Sequence, residues 1–220
     1  RLYTDFSLMT ASHEIGAERA RVFNCLSLGE VIEDTKNLLV APACLRSRII
    51  EMIDDEINRA ASGQEAYLGF KLNGLTDKGI IDKLIEASQN GIHVDLLVRG
   101  MCCLVGGIPG KTENIHVYSI VGRYLEHARI YIFGTQGRRS VYISSADFMT
   151  RNTMRRVEVA APLYDDDIRH RVEQMFFDQL RDNVKLRMQR ADGKYVYKAD
   201  GDEPFCSQEY FIEEAYNGAW

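Results

Sequence analysis

Residues 37–98 alternate between short apolar runs and longer segments whose apolar residues recur at helical spacing. Three runs have the length and composition of buried strands, at residues 37–43, 65–72 and 93–100. Between them, residues 45–63 and 77–91 carry stripes of isoleucine and leucine, and each segment ends at a glycine that suits a helix C-cap. This strand–helix–strand–helix–strand order predicts a mainly parallel sheet with helices on its faces.

The second half of the chain follows a different pattern. Four strand-like runs come with too little chain between them for helices, at residues 115–122, 128–134, 140–147 and 155–163. Strands with such short connections pair as antiparallel neighbours. We therefore predict an α/β fold in which a mixed sheet is flanked by helices. The last of these helices should cover residues 165–188, where three acidic residues suit the N-terminal end.

Both ends of the chain have their own predicted structure. Residues 1–11 alternate polar and apolar positions, which is typical of a strand. A helix should begin after Ser12, which can cap it, and end at Gly29, before a polar linker over residues 30–36. Residues 191–220 contain seven carboxylates against two lysines, and we predict a loosely ordered acidic tail there.

Composition excludes several classes of protein. Apolar residues make up 45% of the chain and charged residues 27%, which are ordinary globular values, and no apolar run approaches the length of a membrane-spanning helix. The net charge of −5 argues against a general nucleic-acid binder. The five cysteines lack zinc-ligand spacing, so we expect free thiols in a reducing cytoplasm. The chain starts at Arg1 without a secretory leader, which we interpret as a fragment.

Positive charge concentrates between Arg123 and Val157, where seven arginines stand against two acidic residues. Within this stretch, His127 precedes the apolar run IYIF, which should be a buried strand. A guanidinium group matches phosphate oxygens in pairs and stays charged, and an imidazole exchanges protons near neutral pH. The combination predicts a phosphate site, whereas a histidine near a strand end is, taken alone, more often a structural residue.

The segment from His127 to Asp147 resembles part of the phospholipase D signature, HxK(x)4D followed by a short strand and an asparagine-containing turn. The match is partial. Arg129 replaces the lysine, Gly134 stands at the aspartate position, and Asp147 stands where asparagine is common. A phosphodiesterase or phosphatidyltransferase of the phospholipase D type is therefore one alternative.

Longer blocks resemble the catalytic C-terminal half of polyphosphate kinases, in the order of that family. They include RLYTDFSLMTA, LLVRGMCCL, SIVGRYLEHARIYIF and VYISSADFMTRN, and together they cover residues 1–186. The resemblance implies an ATP:polyphosphate phosphotransferase, which reversibly transfers the terminal phosphate of ATP to inorganic polyphosphate through a phosphohistidine, with Mg2+. It also implies a phospholipase D-like fold for both catalytic domains.

Three functional residues of the family fall on this chain by resemblance. The second catalytic histidine falls on His127, the ATP-contacting tyrosine on Tyr3, and the ATP-contacting arginine on Arg99. The histidine that becomes phosphorylated and the residues associated with Mg2+ lie upstream of these blocks, so no metal ligand is placed in this chain. We expect His127 to act as an acid or base, with phosphate binding as the simpler alternative.

A long polyanion also needs a run of cationic contacts. Five arginines are candidates for polyphosphate binding: Arg123, Arg129, Arg151, Arg155 and Arg156. Because side chains alternate along a strand, Arg155 and Arg156 should point in opposite directions, and at most one of them should face the site.

The resemblance implies three segments. Residues 1–33 would be the tail of the first phospholipase D-like domain, residues 34–190 the second such domain, and residues 191–220 an acidic C-terminal tail. The implied partners are ATP or ADP, polyphosphate, the remaining domains of the enzyme and further copies in a homo-oligomer, without nucleic acid. The expected location is the cytoplasm or, peripherally, the inner membrane face. Alone, the fragment should be inactive; a non-catalytic polyanion-binding module is a second alternative.

Overall fold

A nine-stranded sheet forms the centre of the computed structural model, which describes residues 2–30, 32, 35–198, 201 and 203–218. In chain order the elements are β1 (Tyr3–Thr4), α1 (His13–Leu28), β2 (Leu39–Ala41), α2 (Leu45–Ala61), β3 (Tyr67–Leu72), α3 (Lys78–Gln89), β4 (His93–Val98), β5 (Ile115–Ile120), β6 (Leu125–Glu126), β7 (Arg129–Phe133), β8 (Ser140–Ser144), α4 (Thr150–Arg155), β9 (Glu158–Pro162), α5 (Asp166–Arg181), β10 (Leu186–Gln189), β11 (Tyr195–Tyr197) and α6 (Ser207–Tyr216). β1 and β6 form a separate two-stranded sheet. The predicted boundary between residues 33 and 34 lies outside the described residues.

The strand order of the large sheet is β11-β10-β5-β4-β3-β7-β8-β9-β2. β3, β4 and β5 pair in parallel, and the other pairings are antiparallel. The predicted mixed sheet, with parallel pairing early in the chain and antiparallel pairing later, is confirmed. β2 does not lie beside β3 as a simple alternation would place it, because β7, β8 and β9 lie between them. A three-residue apolar strand carries no information about which neighbour it pairs with.

Apolar side chains hold helices against both faces of the sheet. On one face, α2 and α3 pack Ile49 and Leu84 into a core with Phe70 of β3. On the other face, α5 buries Phe176 completely in a second core that includes Ile132 of β7. Each fully buried side chain of this size contributes about 1.5–3 kcal/mol through the hydrophobic effect. The two layers fix the ends of the central strands, where the site lies.

Helix boundaries follow the capping signals in the sequence. The Ser12 side chain accepts a hydrogen bond from the Ile15 amide at the start of α1, and Gly29 ends that helix at φ 68°. The Asp77 carboxylate accepts amides of the first turn of α3. These predicted caps are confirmed, since each depends only on residues within one turn of the helix end.

The predicted strand over residues 155–163 begins later than expected, at Glu158. A short helix, α4, continues to Arg155, and Arg156 follows it in an extended conformation. The Asn152 side chain donates a hydrogen bond of 2.6 Å to the Glu158 carboxylate and holds this turn in place. Arg155 and Arg156 therefore do not alternate along a strand, contrary to the prediction.

The two ends of the chain also differ from the prediction. Within residues 2–11, which the structure describes, only Tyr3–Thr4 form a strand. α5 ends early because the Asp182 carboxylate accepts the amides of residues 184–186, which turns the chain into β10. The expectation of a loosely ordered tail is wrong for β11 and α6, and Asp182 accepts both the amide and the hydroxyl of Ser207 at the start of α6. In the part of the chain that the structure describes, no helix is long and apolar enough to span a membrane.

Candidate active site

A cavity of about 650 Å³ lies where β3 and β4 end and β7 begins. Parallel strands present their carboxyl ends at one edge of a sheet, which is the usual position of sites in such folds. The charged and amide side chains that line the cavity are Asp5, Asn73, Arg99, His127, Arg129, Asp147, Arg151, Asn152, Arg156 and Glu158. The sheet therefore brings together residues from positions 5 to 158 of the chain.

His127 lies between β6 and β7, where β1 runs beside the chain. Its backbone amide and that of Ala128 both donate to the carbonyl of Thr4, at 3.0 Å each. Its Nδ1 lies 2.6 Å from Oδ2 of Asp5. Because a carboxylate accepts this bond, Nδ1 carries the proton, and Nε2 is left as the nitrogen available to a substrate oxygen.

Arg129 lies against the face of the His127 ring. Its Nη1 is 3.2 Å from Nδ1 and 3.3 Å from Nε2 of His127. A nitrogen this close to both ring nitrogens sits above the ring, since in the ring plane it would clash with Cε1. The guanidinium group is held there by Asp147, whose two carboxylate oxygens accept from its Nε (3.3 Å) and Nη2 (3.0 Å).

Asp147 and Asn73 extend this arrangement to the neighbouring strands. Oδ1 of Asp147 accepts the amides of Asn73 (2.6 Å) and Gly74 (3.3 Å) in the loop after β3. The Asn73 side chain donates to the carbonyl of His127 (3.2 Å) and accepts from Nε of Arg99 (2.7 Å). One hydrogen-bonded network thus fixes His127 and Arg99 relative to each other.

Tyr3 does not line the cavity but lies next to it. The edge of its ring meets the His127 ring at 87°, with 5.1 Å between centroids. Its side chain is 62% exposed, so it is accessible from solvent. The predicted trio of Tyr3, Arg99 and His127 is therefore brought to one place, with Tyr3 on the rim.

The five candidate polyphosphate contacts separate into two groups. Arg129, Arg151 and Arg156 line the cavity, whereas Arg123 and Arg155 are not among its lining residues. Within the described residues, no carboxylate forms an ion pair with three of the lining arginines, Arg99, Arg151 and Arg156. Four arginines and three carboxylates (Asp5, Asp147 and Glu158) line the cavity, so its lining has a small excess of positive charge, and three of the guanidinium groups are not neutralised by a direct ion pair.

Several groups in the cavity were not predicted from the sequence. Asp5 follows Tyr3 by two residues in the RLYTD block, and this strand-like spacing was a usable signal. Asn73 directly follows a predicted strand, at the edge where sites form. Glu158 is held by Oγ of Ser145 (2.5 Å) and by Asn152, and nothing in the sequence pattern marks it.

A buried ion pair involves Glu126, the residue directly before His127. Nζ of Lys71 lies 2.6 Å from Oε2 of Glu126, and both side chains are only 4% exposed. The Glu126 carboxylate also accepts from Thr4 (3.1 Å), Gln179 (2.8 Å) and Gln208 (2.5 Å). Burial alone would raise the pKa of Glu126, but Lys71 and these donors outweigh it and hold the pKa below its usual range.

The aspartate position of the phospholipase D signature cannot carry an aspartate easily. Gly134 adopts φ 93°, a conformation that L side chains rarely take, and a Cβ atom there would lie 2.7 Å from Nη1 of Arg138. The departure from the signature is therefore built into the backbone of this turn.

Comparisons with known proteins agree on one family. A family model described as polyphosphate kinase C-terminal domain 2 matches residues 38–208. The polyphosphate kinase of Staphylococcus haemolyticus is 44% identical over 215 residues, which are 98% of this chain and 30% of that protein. The polyphosphate kinase of Pseudomonas aeruginosa is 45% identical over 196 residues, 89% of this chain and 28% of that protein.

Solved structures show the same relationship and the fold. The crystal structure of polyphosphate kinase from Porphyromonas gingivalis superposes with a TM-score of 0.93 at 36% identity, covering 99% of this chain and 34% of that chain. Nuc from Salmonella typhimurium, a phospholipase D family member, superposes with a TM-score of 0.52 at 14% identity, covering 70% of this chain and 96% of that one. The predicted phospholipase D-like α/β fold is thus confirmed.

Proposed function

This chain belongs to the polyphosphate kinase family, and from that premise we propose that it supplies His127 and a set of unpaired arginines to the reversible transfer of the terminal phosphate of ATP to inorganic polyphosphate. The observation that carries the proposal is that His127 lines one cavity with Arg99, Arg151 and Arg156, none of which forms an ion pair with a described carboxylate. Phosphoryl transfer depends mainly on positioning and on stabilising negative charge, which fixed cations provide. The chain spans about 30% of the length of the relatives it matches, so the activity of the whole protein is part of the proposal.

His127 exchanges a proton with the reacting phosphate in this proposal. Since Nδ1 is engaged by Asp5, Nε2 faces the substrate oxygen. In the direction of synthesis, protonated Nε2 donates to the oxygen that leaves as the terminal P–O bond breaks, and in the reverse direction neutral Nε2 takes the proton back. The histidine that carries the phosphate between ATP and polyphosphate lies outside this chain.

The other groups bind and orient. Arg99 and Tyr3 contact ATP, and Arg151 and Arg156 bind polyphosphate oxygens, for which a guanidinium fork is well shaped. Mg2+, when bound, would neutralise phosphate charge. Among the described residues no three His, Cys, Asp or Glu side chains are placed together to hold a metal ion, so we assign no residue of this chain to Mg2+.

The segments of the chain follow from the same proposal. We assign residues 1–33 to the end of the first phospholipase D-like domain and residues 34–190 to the second, followed by the C-terminal segment 191–220. The family match, which begins at residue 38, supports a boundary near this position. The remaining domains of the same enzyme are then the first partners of this chain.

Substitution of His127 in the complete enzyme tests the proposal. We expect His127→Ala to lower ATP-dependent polyphosphate synthesis by about 10²–10⁴-fold, the usual contribution of a positioned acid or base. Asp5→Asn should give a smaller loss, because the imidazole remains but its orientation and tautomer are no longer fixed. The measurement is the steady-state rate of polymer formation, with circular dichroism to verify the fold.

His170→Ala is the matched control, since His170 is exposed on α5 and does not line the cavity. Its rate should equal that of the unsubstituted enzyme. A near-normal rate for His127→Ala would remove this residue from the mechanism. Nucleotide-independent cleavage of phosphodiesters would instead favour a phospholipase D-type activity, which the backbone at Gly134 disfavours.

A further inference from the structure

The β10–β11 hairpin, residues 185–198, is strongly basic in an acidic protein. It contains five lysines and arginines against a single acid, Asp192, whereas the whole chain has a net charge of −5. Within the described residues, no carboxylate forms an ion pair with Lys185, Arg187 or Arg190. This hairpin carries free positive charge that the cavity does not use.

The register of the sheet places part of this charge beside the candidate active site. Arg187 pairs with Ser119 of β5, and the pairing of Leu97 with Tyr118 puts Ser119 beside Val98. Arg99 directly follows Val98. Arg187 therefore lies two strand spacings, roughly 10 Å, from the end of β4, at the same edge of the sheet as the cavity.

The same row continues to the other side of the site. Leu72 pairs with Val98, and the pairing of Lys71 with Ile130 puts Leu72 beside Arg129. Residues that pair directly across a sheet project from the same face. Arg129 and Arg187 thus stand on one row, but Leu72 and Val98 between them are buried in the core. The charges can therefore share a ligand only beyond the strand ends, where Arg99 follows Val98.

Arg187 is also held in an ordered position. Its guanidinium carbon lies 4.9 Å from the centre of the Tyr197 ring, and its Nη2 donates to the Tyr197 hydroxyl at 3.0 Å. Stacking on an aromatic ring leaves the other guanidinium nitrogens available for an anion. Tyr197 itself is 59% exposed, so this pair is open to solvent.

Arg123 lies on the path between the cavity and the hairpin. It follows the end of β5, the strand that separates β4 from β10, and its guanidinium carbon lies 5.5 Å from the centre of the Tyr124 ring. Like Arg187, it pairs with no carboxylate in the described part of the chain and does not line the cavity. The chain at Arg123 thus leaves the sheet between the strands that precede Arg99 and carry Arg187.

We propose that this edge, from Arg99 through Arg123 to Lys185 and Arg187, binds the part of a long polyphosphate chain that extends out of the cavity. The proposal rests on the proposed function, which places the end of that polymer in the cavity. A polyanion with a charge on every unit gains binding free energy from each cation along its path. A short polyanion that fills only the cavity does not reach the hairpin and gains nothing from its cations. The surface should therefore distinguish long polymers from short ones.

Binding measurements on this chain test the proposal with two double variants that each remove two positive charges from the same hairpin. Lys185→Ala/Arg187→Ala removes the cations at the site edge, and Arg190→Ala/Lys194→Ala removes those near the hairpin turn. We expect the first to weaken binding of long-chain polyphosphate about two- to fivefold per charge and to reduce the slope of log K against log salt by about 0.7–1 per charge. Binding of tripolyphosphate should not change.

The control variant, Arg190→Ala/Lys194→Ala, should change the logarithm of the dissociation constant for long-chain polyphosphate less than half as much as Lys185→Ala/Arg187→Ala does. Equal effects of the two variants would show nonspecific attraction to the hairpin and overturn the proposal, as would no effect of either. If tripolyphosphate failed to bind the unsubstituted chain, the proposed function would be wrong instead. Equal thermal midpoints of both variants verify that the hairpin remains folded.

Discussion

At the scale of single residues, Asp147 connects more of the site than any other described side chain in the cavity network. One carboxylate oxygen accepts the amides of Asn73 and Gly74, and both oxygens engage the Arg129 guanidinium group. Asp147 touches no ring atom of His127 itself. It acts on His127 through Arg129, and is therefore a positioning residue.

Replacing Asp147 by asparagine should release Arg129 from the His127 ring. The amide retains one acceptor for the loop after β3, but its NH2 group opposes the guanidinium donors. We expect Asp147→Asn to lower kcat for polyphosphate synthesis about 10–100-fold with a smaller change in KM for ATP, because misplacement of a reacting group by about 1 Å has costs of this order. Steady-state kinetics of the complete enzyme measure both constants.

The comparison variant is Asp82→Asn, since Asp82 forms only an exposed pair with Lys78 on α3. Such a pair is worth less than about 1 kcal/mol and lies outside the cavity. An unchanged kcat for Asp147→Asn would show that Arg129 does not need its carboxylate partner.

Sequence patterns pointed to the residues within the family-like blocks but not to the side chains that hold them in place. Tyr3, Arg99 and His127 fall within blocks that resemble the family, so their positions could be read directly. Asp5 contacts His127, which lies 122 positions later in the chain, and Asn73 contacts Arg99, which lies 26 positions later. Such contacts are created by the sheet and leave no local pattern in a single sequence.

At the scale of secondary-structure elements, the Glu126 carboxylate joins four of them. Its donors come from β1 (Thr4), β3 (Lys71), α5 (Gln179) and α6 (Gln208). A buried ion pair adds little net stability compared with apolar residues, but breaking one costs much because a charge is left without a partner. The network therefore fixes how these elements meet beside His127.

Lys71→Met should destabilise the fold strongly, by about 3–5 kcal/mol at neutral pH. The double variant Lys71→Met/Glu126→Gln should lose less, because it leaves no buried charge. Urea denaturation of both variants measures the free energy of unfolding. If the double variant were as unstable as the single one, the cost would come from lost packing and not from the unpaired carboxylate.

The same pair makes a prediction about pH. In the unsubstituted protein the pKa of Glu126 is lowered, so its contribution to stability is present above about pH 4.3 and is lost as the pH falls through the folded-state pKa. Burial, which raises the pKa, is the largest single influence on Glu126, and Lys71 supplies the two largest opposing ones. We therefore expect the pKa to be raised without Lys71, so that protonation favours the folded state. The stability of Lys71→Met should therefore decrease as pH rises from acid to neutral, opposite to the Glu126 contribution in the parent.

Elements could be predicted where their signals are local. Helix caps act within one turn. α1 and α3 begin where the N-caps Ser12 and Asp77 predict, and α1 ends where the C-cap Gly29 predicts. α4 could not be predicted in this way, because it is held by a hydrogen bond from Asn152 to the following strand. The end of α5 depends likewise on Asp182, which also caps α6 25 positions later.

At the scale of the whole molecule, the chain spans about 30% of its relatives and should bind phosphate without completing the reaction. We expect the isolated chain to form no polyphosphate from ATP, because the proposed nucleophilic histidine lies outside it. Incubation with labelled ATP, beside the complete enzyme under identical conditions, measures this. Polymer formation by the isolated chain would contradict the proposed division of the site.

The pairing of β1 with β6 determines when the site is complete. Thr4 and Leu125 are separated by 121 positions, so docking of the arm formed by residues 2–6 beside β6 closes a long loop for the gain of a two-residue strand pair. The β7–β8 and β8–β9 pairings join residues only 7 to 20 positions apart, from Phe133 with Ser140 to Tyr142 with Pro162, and can form before it. The backbone amides of His127 and Ala128, which donate to Thr4, should then exchange with solvent at the rate at which the arm opens. The proposed site should thus have its own local folding equilibrium, distinct from that of the large sheet.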